Sequence, residues 1–124
     1  MYPERMGKTS HRRKFPAELA RAGEARHFVS WLGAVAGLRG GALSDLAVAA
    51  EAVLTDVLLS GEGGTLEIES ETGEGFLEIT VRHPGLKGRR IAGLEGIMEQ
   101  FLDEYRLSST ETVLIKRLGR DRRF

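Results

Sequence analysis

Residues 65–81 read TLEIESETGEGFLEITV, and they carry the clearest secondary-structure pattern in the chain. Apolar and polar residues alternate on both sides of a glycine-containing turn at residues 71–75. Such alternation is typical of two antiparallel strands joined as a hairpin, in which each strand has one buried and one wet face. The stretch therefore predicts a sheet that is covered on one side only.

Two amphipathic helices are predicted before the hairpin. In the first, between Ala17 and Leu38, apolar residues recur at three- and four-residue steps: Ala25, Phe28, Val29, Leu32, Val35 and Ala36. Gly37, Gly40 and Gly41 then interrupt the pattern. The second helix is expected to begin at an N-cap at Ser44 and to stop at Ser60-Gly61. Its apolar face comprises Leu46, Ala50, Val53 and Val57.

A third helix is predicted after the hairpin, with apolar residues at Leu94, Ile97, Met98, Phe101, Leu102 and Tyr105. Arg12 to Phe15 form a predicted edge strand, and Thr112 to Arg117 a final strand. The order β-α-α-β-β-α-β predicts an α+β two-layer sandwich, in which three helices cover one face of a mixed, mostly antiparallel sheet. We expect residues 1–11 to be a flexible leader, 12–118 a single domain and 119–124 a basic tail.

Composition excludes several classes of protein. The chain has 124 residues, of which 41% are hydrophobic and 29% charged, as in a globular domain. It contains no cysteine, so neither a disulfide framework nor a thiolate metal site is expected. No stretch approaches the roughly 20 apolar residues of a membrane span, and the N-terminus has no apolar signal region. We therefore expect a cytoplasmic protein that does not enter a membrane.

The charge is unevenly placed, although the formal net charge is zero. Basic residues gather near both ends, and glutamates fill the middle. Basic ends are compatible with nucleic-acid binding, which we keep as an alternative function. Solvated ends are the favoured interpretation, because aromatic residues do not interleave with the charges. Trp31, about 60° from Phe28 around the first helix, is either an interface anchor or half-buried packing.

Phe15-Pro16-Ala17 and Glu24-Ala25-Arg26-His27-Phe28, together with the order of elements, carry a resemblance to a known family. The chain resembles the anti-sigma-factor serine kinases and related ATP-binding regulators of bacterial partner switching, which have the Bergerat (GHKL) fold. The resemblance spans residues 12–118 and implies that fold. It also implies a nucleotide pocket and protein partners, namely a sigma factor or an anti-sigma antagonist, and a possible homodimer.

On the second helix, the resemblance places Glu51 at the family's acidic position, which orients or deprotonates the attacking hydroxyl. The Mg²⁺-binding asparagine of the family should stand four residues later, where this sequence has Thr55. Asp56 is chemically a better Mg²⁺ ligand, since hard cations prefer carboxylate oxygens. It lies about 140° from Glu51 around the helix axis, however, and should point elsewhere.

The loop after the hairpin departs from the family's Asp-x-Gly-x-Gly pattern. His83 stands where the family has the aspartate that accepts a hydrogen bond from adenine, and an imidazole offers less to that contact. Gly85 keeps its place, while the second glycine comes one residue late, as Gly88. Nearby basic side chains are expected to solvate the loop rather than to meet phosphates; these are Lys87, Arg89 and Arg90.

Further on, Gly93 and Gly96 stand at the expected phosphate-binding helix start, where free N–H groups attract anions. Glu95 opposes an anion at that place. Thr112 occupies the position of the threonine in the family's Gly-Thr, but its glycine is replaced by Glu111. The resemblance therefore assigns a vestigial nucleotide pocket to Thr55, His83, Gly85, Gly88, Gly93, Gly96 and Thr112, with Glu51 as the catalytic candidate.

Together the departures predict a degenerate pocket. Losing an anionic acceptor costs about 1.5–3 kcal/mol, and each 1.4 kcal/mol is roughly tenfold in affinity. We therefore expect no bound cofactor, neither ATP nor Mg²⁺, no metal site, and a regulator that acts through protein binding rather than an enzyme. The alternative is an active serine/threonine protein kinase in which Glu51 is the base and Thr55 or Asp56 holds the metal.

Overall fold

The computed structural model of the chain describes residues 9–61, 63–86 and 90–119. Strands and helices follow one another in the order β1 (Thr9–Pro16), α1 (Ala22–Ala36), α2 (Gly40–Ser60), β2 (Thr65–Gly73), β3 (Phe76–Arg82), α3 (Leu94–Phe101), β4 (Glu104–Leu107) and β5 (Glu111–Arg117). A single 3-10 turn, Leu19–Arg21, leads into α1. Residues 1–8 and 120–124 of the expected leader and tail lie outside the described residues, and the predicted edge strand begins at Thr9.

The strands form one sheet in the order β1-β2-β3-β5-β4, and each neighbouring pair is antiparallel. The predicted hairpin is confirmed: β2 and β3 pair from Glu67 with Arg82 to Gly73 with Phe76. Gly75 adopts a φ of 85° in the turn, a left-handed conformation that glycine reaches without a steric penalty. The expected α+β sandwich is present, with an antiparallel sheet where a mixed one was predicted.

The helices cover one face of this sheet and share a single apolar core with it. The sheet contributes Leu66, Ile68, Leu77, Ile79, Val81 and Leu114, and the helices contribute mainly Ala25, Phe28, Val29, Leu32, Leu46, Ala50, Val53, Val57, Leu94 and Met98. The predicted apolar faces of the helices are therefore largely confirmed. Val35 is the exception, because it is 50% exposed on α1.

Helix α2 begins earlier than the sequence suggested. It starts at Gly40, after an extended N-cap residue, Arg39, whose carbonyl accepts the N–H groups of Ala42 and Leu43. The prediction of an N-cap at Ser44 is therefore wrong. Gly37 interrupts the helical pattern as predicted, because it ends α1 as its C-cap with a φ of 109°. Gly40 and Gly41 instead begin α2, so only residues 37–39 separate the two helices.

Helix α3 ends earlier than predicted, at Phe101, and Tyr105 belongs to strand β4. Residues 104–107 alternate, so that Tyr105 and Leu107 pack against the core while Glu104 and Arg106 face solvent. Tyr105 therefore fits two patterns: it continues the helical spacing of Phe101 and Leu102, and it alternates with its neighbours as in a strand. Pairing with β5 decides between them, because it gives the backbone of β4 hydrogen-bond partners.

The other face of the sheet is lined with charged side chains, as the alternation in the hairpin predicted. Arg82 reaches Glu69 at 2.6 Å and Glu111 at 3.1 Å across neighbouring strands. Strand β5 departs from this pattern, because Val113 and Ile115 are buried on the same face.

These two side chains lie beneath an ion pair that spans β5. Arg106 on β4 and Glu78 on β3 stand opposite Val113 and Ile115 in the strand register, and they meet at 3.6 Å. Long charged side chains cover apolar surface with their stems while their heads stay in water.

Among the described residues, no helix has the length and apolar character needed to cross a membrane.

We expect Ile79→Ala to lower the free energy of unfolding by about 2–5 kcal/mol, because Ile79 is fully buried on the central strand and its loss leaves a cavity. Urea denaturation followed by circular dichroism measures the change. Val48→Ala is the matched control, since Val48 is 43% exposed on α2 and should change stability by less than about 0.5 kcal/mol. Equal losses in the two variants would contradict this core.

Candidate functional site

Glu51, the catalytic candidate, lies on an exposed face of α2 and forms an ion pair with α1. Its Oε1 lies 2.6 Å from Nη1 of Arg26, and both side chains are about half exposed, at 56% and 47%. Thr55 follows one helical turn later and is half-buried. The carboxylate that the resemblance assigns to catalysis is thus paired with a cation from the neighbouring helix.

Asp56, by contrast, is fully buried on the core side of α2. Its Oδ2 accepts a hydrogen bond from Nε of Arg90 at 2.6 Å, and its Oδ1 accepts one from the backbone N–H of Ile91 at 2.7 Å. A buried carboxylate persists only if it is paired and hydrogen-bonded. Both of its oxygens are engaged within the protein, which leaves them poorly placed to hold a metal ion.

Arg90 completes its hydrogen bonding inside the same region. Nη1 donates to the carbonyl oxygen of Ser108 at 3.0 Å, and Nη2 donates to Oγ1 of Thr112 at 3.0 Å. All three guanidinium nitrogens therefore have protein acceptors. The expectation that Arg90 solvates its loop is wrong, because the buried carboxylate of Asp56 draws the guanidinium inward. Lys87 and Arg89 lie outside the described residues.

His83 extends this chain of contacts beyond β3. Its Nδ1 lies 3.1 Å from the carbonyl oxygen of Pro84, and its Nε2 lies 3.3 Å from Oγ1 of Thr112. A carbonyl only accepts, so Nδ1 carries the proton and Nε2 of the neutral ring accepts from the Thr112 hydroxyl. The Thr112 oxygen in turn accepts from Arg90, and donors and acceptors match along the whole chain.

Burial keeps His83 neutral. The ring is 5% exposed, and desolvation lowers the pKa of His83 below its ordinary value of 6.5, with a smaller contribution in the same direction from the Arg90 cation. The Pro84 carbonyl acts the other way. A neutral imidazole is what the assigned tautomer requires.

The start of α3 lies beside this network. Gly93 is its N-cap with a φ of 85°. Gly93 and Gly96 line a surface cavity of about 290 Å³, together with Arg90, Ile91, Leu94, Glu95 and Leu107. The Glu95 carboxylate sits in the first turn, where it already complements the positive end of the helix dipole. Gly85 is exposed in the loop after β3, and Gly88 lies outside the described residues.

The structure thus brings only part of the predicted pocket together. His83 and Thr112 are in contact, and Gly93 and Gly96 share a cavity with Arg90. Within the described part of the chain, the polar partner of Glu51 is Arg26 rather than any of these residues. No group of three or more His, Asp or Glu side chains there could hold a metal ion.

Two residues that organise this region, Asp56 and Arg90, were not assigned to the vestigial pocket, and Asp56 was considered only as a metal ligand in the kinase alternative. A signal was present: Asp56 follows Ala49 by seven residues and Val53 by three, which places a carboxylate on the apolar face of α2. A charge on a buried face calls for a partner of opposite sign. In the sequence, the basic residues Arg89 and Arg90 stand shortly before α3 and are candidates for that partner.

The fold is the α+β sandwich that the sequence pattern predicted, and a solved structure shares it. A crystal structure of the RsbU and RsbW domains of Rv1364c from Mycobacterium tuberculosis matches 94% of this chain, with a TM-score of 0.76 and 18% sequence identity. The chain spans about a third of that protein's chain, 34%. At this identity the likeness shows a shared fold. No protein-family model matches the chain, and no curated protein sequence matches it significantly.

We expect Arg90→Ala to destabilise the protein by about 3–5 kcal/mol, because it leaves the buried Asp56 carboxylate without its cation. Asp56→Ala with Arg90→Ala should cost less than the sum of the two single changes, with a coupling energy of about 0.5–3 kcal/mol. Urea denaturation of all four proteins measures this cycle. Arg26→Ala, which breaks the exposed pair with Glu51, is the control and should cost less than about 1 kcal/mol. Strict additivity would contradict the buried pair.

We also expect stability to fall as the pH drops below 6.5, the ordinary pKa of His83. Between the lowered folded-state pKa and that value, the unfolded chain binds the proton and the folded chain does not, so acid favours unfolding. Urea denaturation on either side of pH 6.5, with an NMR titration of the ring, measures the effect. His83→Gln should reduce the pH dependence, whereas His27→Gln, at an exposed position, should preserve it. An unchanged dependence in His83→Gln would refute this origin.

Proposed function

We propose that this chain is a regulatory protein of the anti-sigma-factor kinase type that acts by binding another protein and no longer uses ATP. The observation that carries the proposal is the chain of hydrogen bonds from Asp56 through Arg90 and Thr112 to His83. Of these groups, His83 and Thr112 stand at positions that the resemblance assigns to the nucleotide pocket, and Asp56 and Arg90 are bonded to them directly or through one another. The polar atoms there bind one another, and the residues present therefore fit ATP and Mg²⁺ poorly.

The adenine contact is the clearest case. An adenine-reading group must offer a free acceptor to the amino group of the base. The Nε2 lone pair of His83 faces the Thr112 hydroxyl, and its Nδ1 proton faces the Pro84 carbonyl. Adenine would have to displace one of these buried contacts, and an unmade buried hydrogen bond costs about 1–3 kcal/mol.

The phosphate and metal contacts are weakened for separate reasons. Thr55 offers one neutral hydroxyl oxygen at the position of the family's asparagine, and the nearby Asp56 carboxylate is held by Arg90 and Ile91. At the start of α3, the Glu95 carboxylate would repel a phosphate group. These losses fall on different parts of a nucleotide, so their effects on affinity should accumulate.

Two similarities, one of sequence pattern and one of fold, support a protein partner. The sequence pattern resembles regulators whose partners are sigma factors and anti-sigma antagonists, and the fold matches a structure that contains RsbU and RsbW domains. A scaffold that keeps its shape while its pocket is filled from within can still present a surface to another protein. We propose a partner of that kind, with a second copy of the chain as the other candidate.

We expect isothermal titration calorimetry with Mg-ATP to give no binding at micromolar concentrations, because the pocket atoms are paired internally. Near-ultraviolet circular dichroism of the same sample checks that the protein is folded. Micromolar binding of Mg-ATP would overturn the degraded pocket.

Glu51→Gln separates the kinase alternative from simple nucleotide binding. If the chain phosphorylates a protein, this variant should lose turnover while it keeps its fold, because Glu51 is exposed and paired only at the surface. We expect no turnover in the wild type, and therefore no difference between the two proteins in an assay of ADP formation and of γ-phosphoryl transfer to protein. Turnover that Glu51→Gln abolishes would establish the kinase.

A further inference from the structure

Strand β1 forms one edge of the sheet, and its outer side is unpaired among residues 9–61, 63–86 and 90–119. The N–H of Ala17, just beyond the strand, donates to the carbonyl of Gly64 at 2.8 Å. Backbone groups in a strand point alternately to either side, so the odd-numbered residues of β1 bond to β2. The backbone groups of Ser10, Arg12 and Lys14 therefore point outward. Such an edge is a ready template for a further strand.

The side chains beside this edge form a groove with an aromatic floor. His11 meets the Trp31 ring edge-on at 5.1 Å, and Trp31 stacks on Phe28 at 5.9 Å. Arg13 lies over the Phe28 ring at 5.9 Å. A cavity of about 310 Å³ is lined by Arg13, His27, Phe28 and Trp31. Trp31 is 44% exposed, so part of the ring is open to contact with another molecule.

The charge of β1 indicates what could lie against it. Arg12, Arg13 and Lys14 are exposed and consecutive, and the strand contains no acidic residue. Arg12 lies 3.5 Å from Glu67 of β2 but remains 62% exposed, so its guanidinium can also meet a second carboxylate. A second copy of β1 paired in antiparallel fashion would set basic side chains against basic ones, which is destabilising. An acidic segment would complement them.

We propose that the outer edge of β1 accepts an extended segment of a partner protein whose acidic and apolar residues alternate. A strand added at the usual spacing of about 4.8 Å sends successive side chains to opposite faces of the sheet. On one face its carboxylates meet Arg12 and Lys14. On the other, its apolar side chains enter the groove between Arg13 and Trp31. The inference rests on the proposed function in that it assumes a protein partner.

Trp31 provides the test, because it is the single tryptophan of the chain. The probe is a synthetic peptide of alternating leucine and glutamate, and a peptide with lysine in place of glutamate is its control. We expect the acidic peptide to give a saturable shift of Trp31 fluorescence to shorter wavelength, and the basic peptide to give none. No shift with the acidic peptide, or equal shifts with both, would refute the proposal.

Lys14→Pro tests the backbone contact directly. It removes an outward N–H and leaves the bonds between β1 and β2 in place. Pro16, two residues further along the same strand, already lacks an N–H on that side and still pairs with Thr65. We expect about a tenfold loss of peptide affinity relative to Lys14→Ala, which lacks the same charge but keeps the N–H. Thermal melts confirm that both variants fold. Equal affinities in the two variants would overturn strand addition.

Light scattering measures the oligomeric state and tests whether a second copy of the chain occupies the edge instead. If the wild-type chain is a dimer and Lys14→Pro is a monomer, the edge pairs with a second copy and the acidic segment is the wrong occupant. The nucleotide titration is independent of all these results. If the peptide binds and Mg-ATP also binds tightly, the proposal of a degraded pocket is refuted and the proposal of a docking edge stands. If neither binds, only the docking edge is refuted.

Discussion

The arrangement of the candidate site depends on one buried ion pair. Asp56 points into the core side of α2, where an unpaired carboxylate would cost several kcal/mol. The protein meets that constraint by drawing Arg90 across from the loop that precedes α3, at 2.6 Å. Because the guanidinium has further donors to satisfy, the pair recruits Thr112 and, through it, His83. One acidic residue on a helix thus fixes the position of a loop, a strand residue and a ring.

Under the function proposed above, the same network takes the place of a bound nucleotide. A nucleotide pocket must keep polar groups unpaired until the ligand arrives, which is a burden in a buried site. In this chain the polar groups are matched internally, from a charged donor to a hydroxyl, a neutral ring and a carbonyl. Under that proposal, these internal contacts stabilise the region in place of the contacts that a nucleotide would make. Glu51 lies apart from it, in an exposed pair with Arg26.

Patterns that depend on local periodicity were predictable from the sequence, and contacts that depend on distant segments were not. The hairpin and the faces of α1 and α2 follow from period and turn residues. Strand β4 was missed because Tyr105 fits a helix as well as a strand, and only pairing with β5 decides. Asp56 and Arg90 are 34 residues apart, so their contact depends on how distant segments of the chain pack together. The helical angle correctly separated Asp56 from Glu51.

The two edges of the sheet are unequal, and this affects how the protein could assemble. β1 offers eight residues, whereas β4 offers four, with the charged side chains of Glu104 and Arg106 turned toward solvent. Short, charged edges resist further pairing. Assembly at β1 would therefore be self-limiting: it would stop after one addition rather than propagate into a fibre.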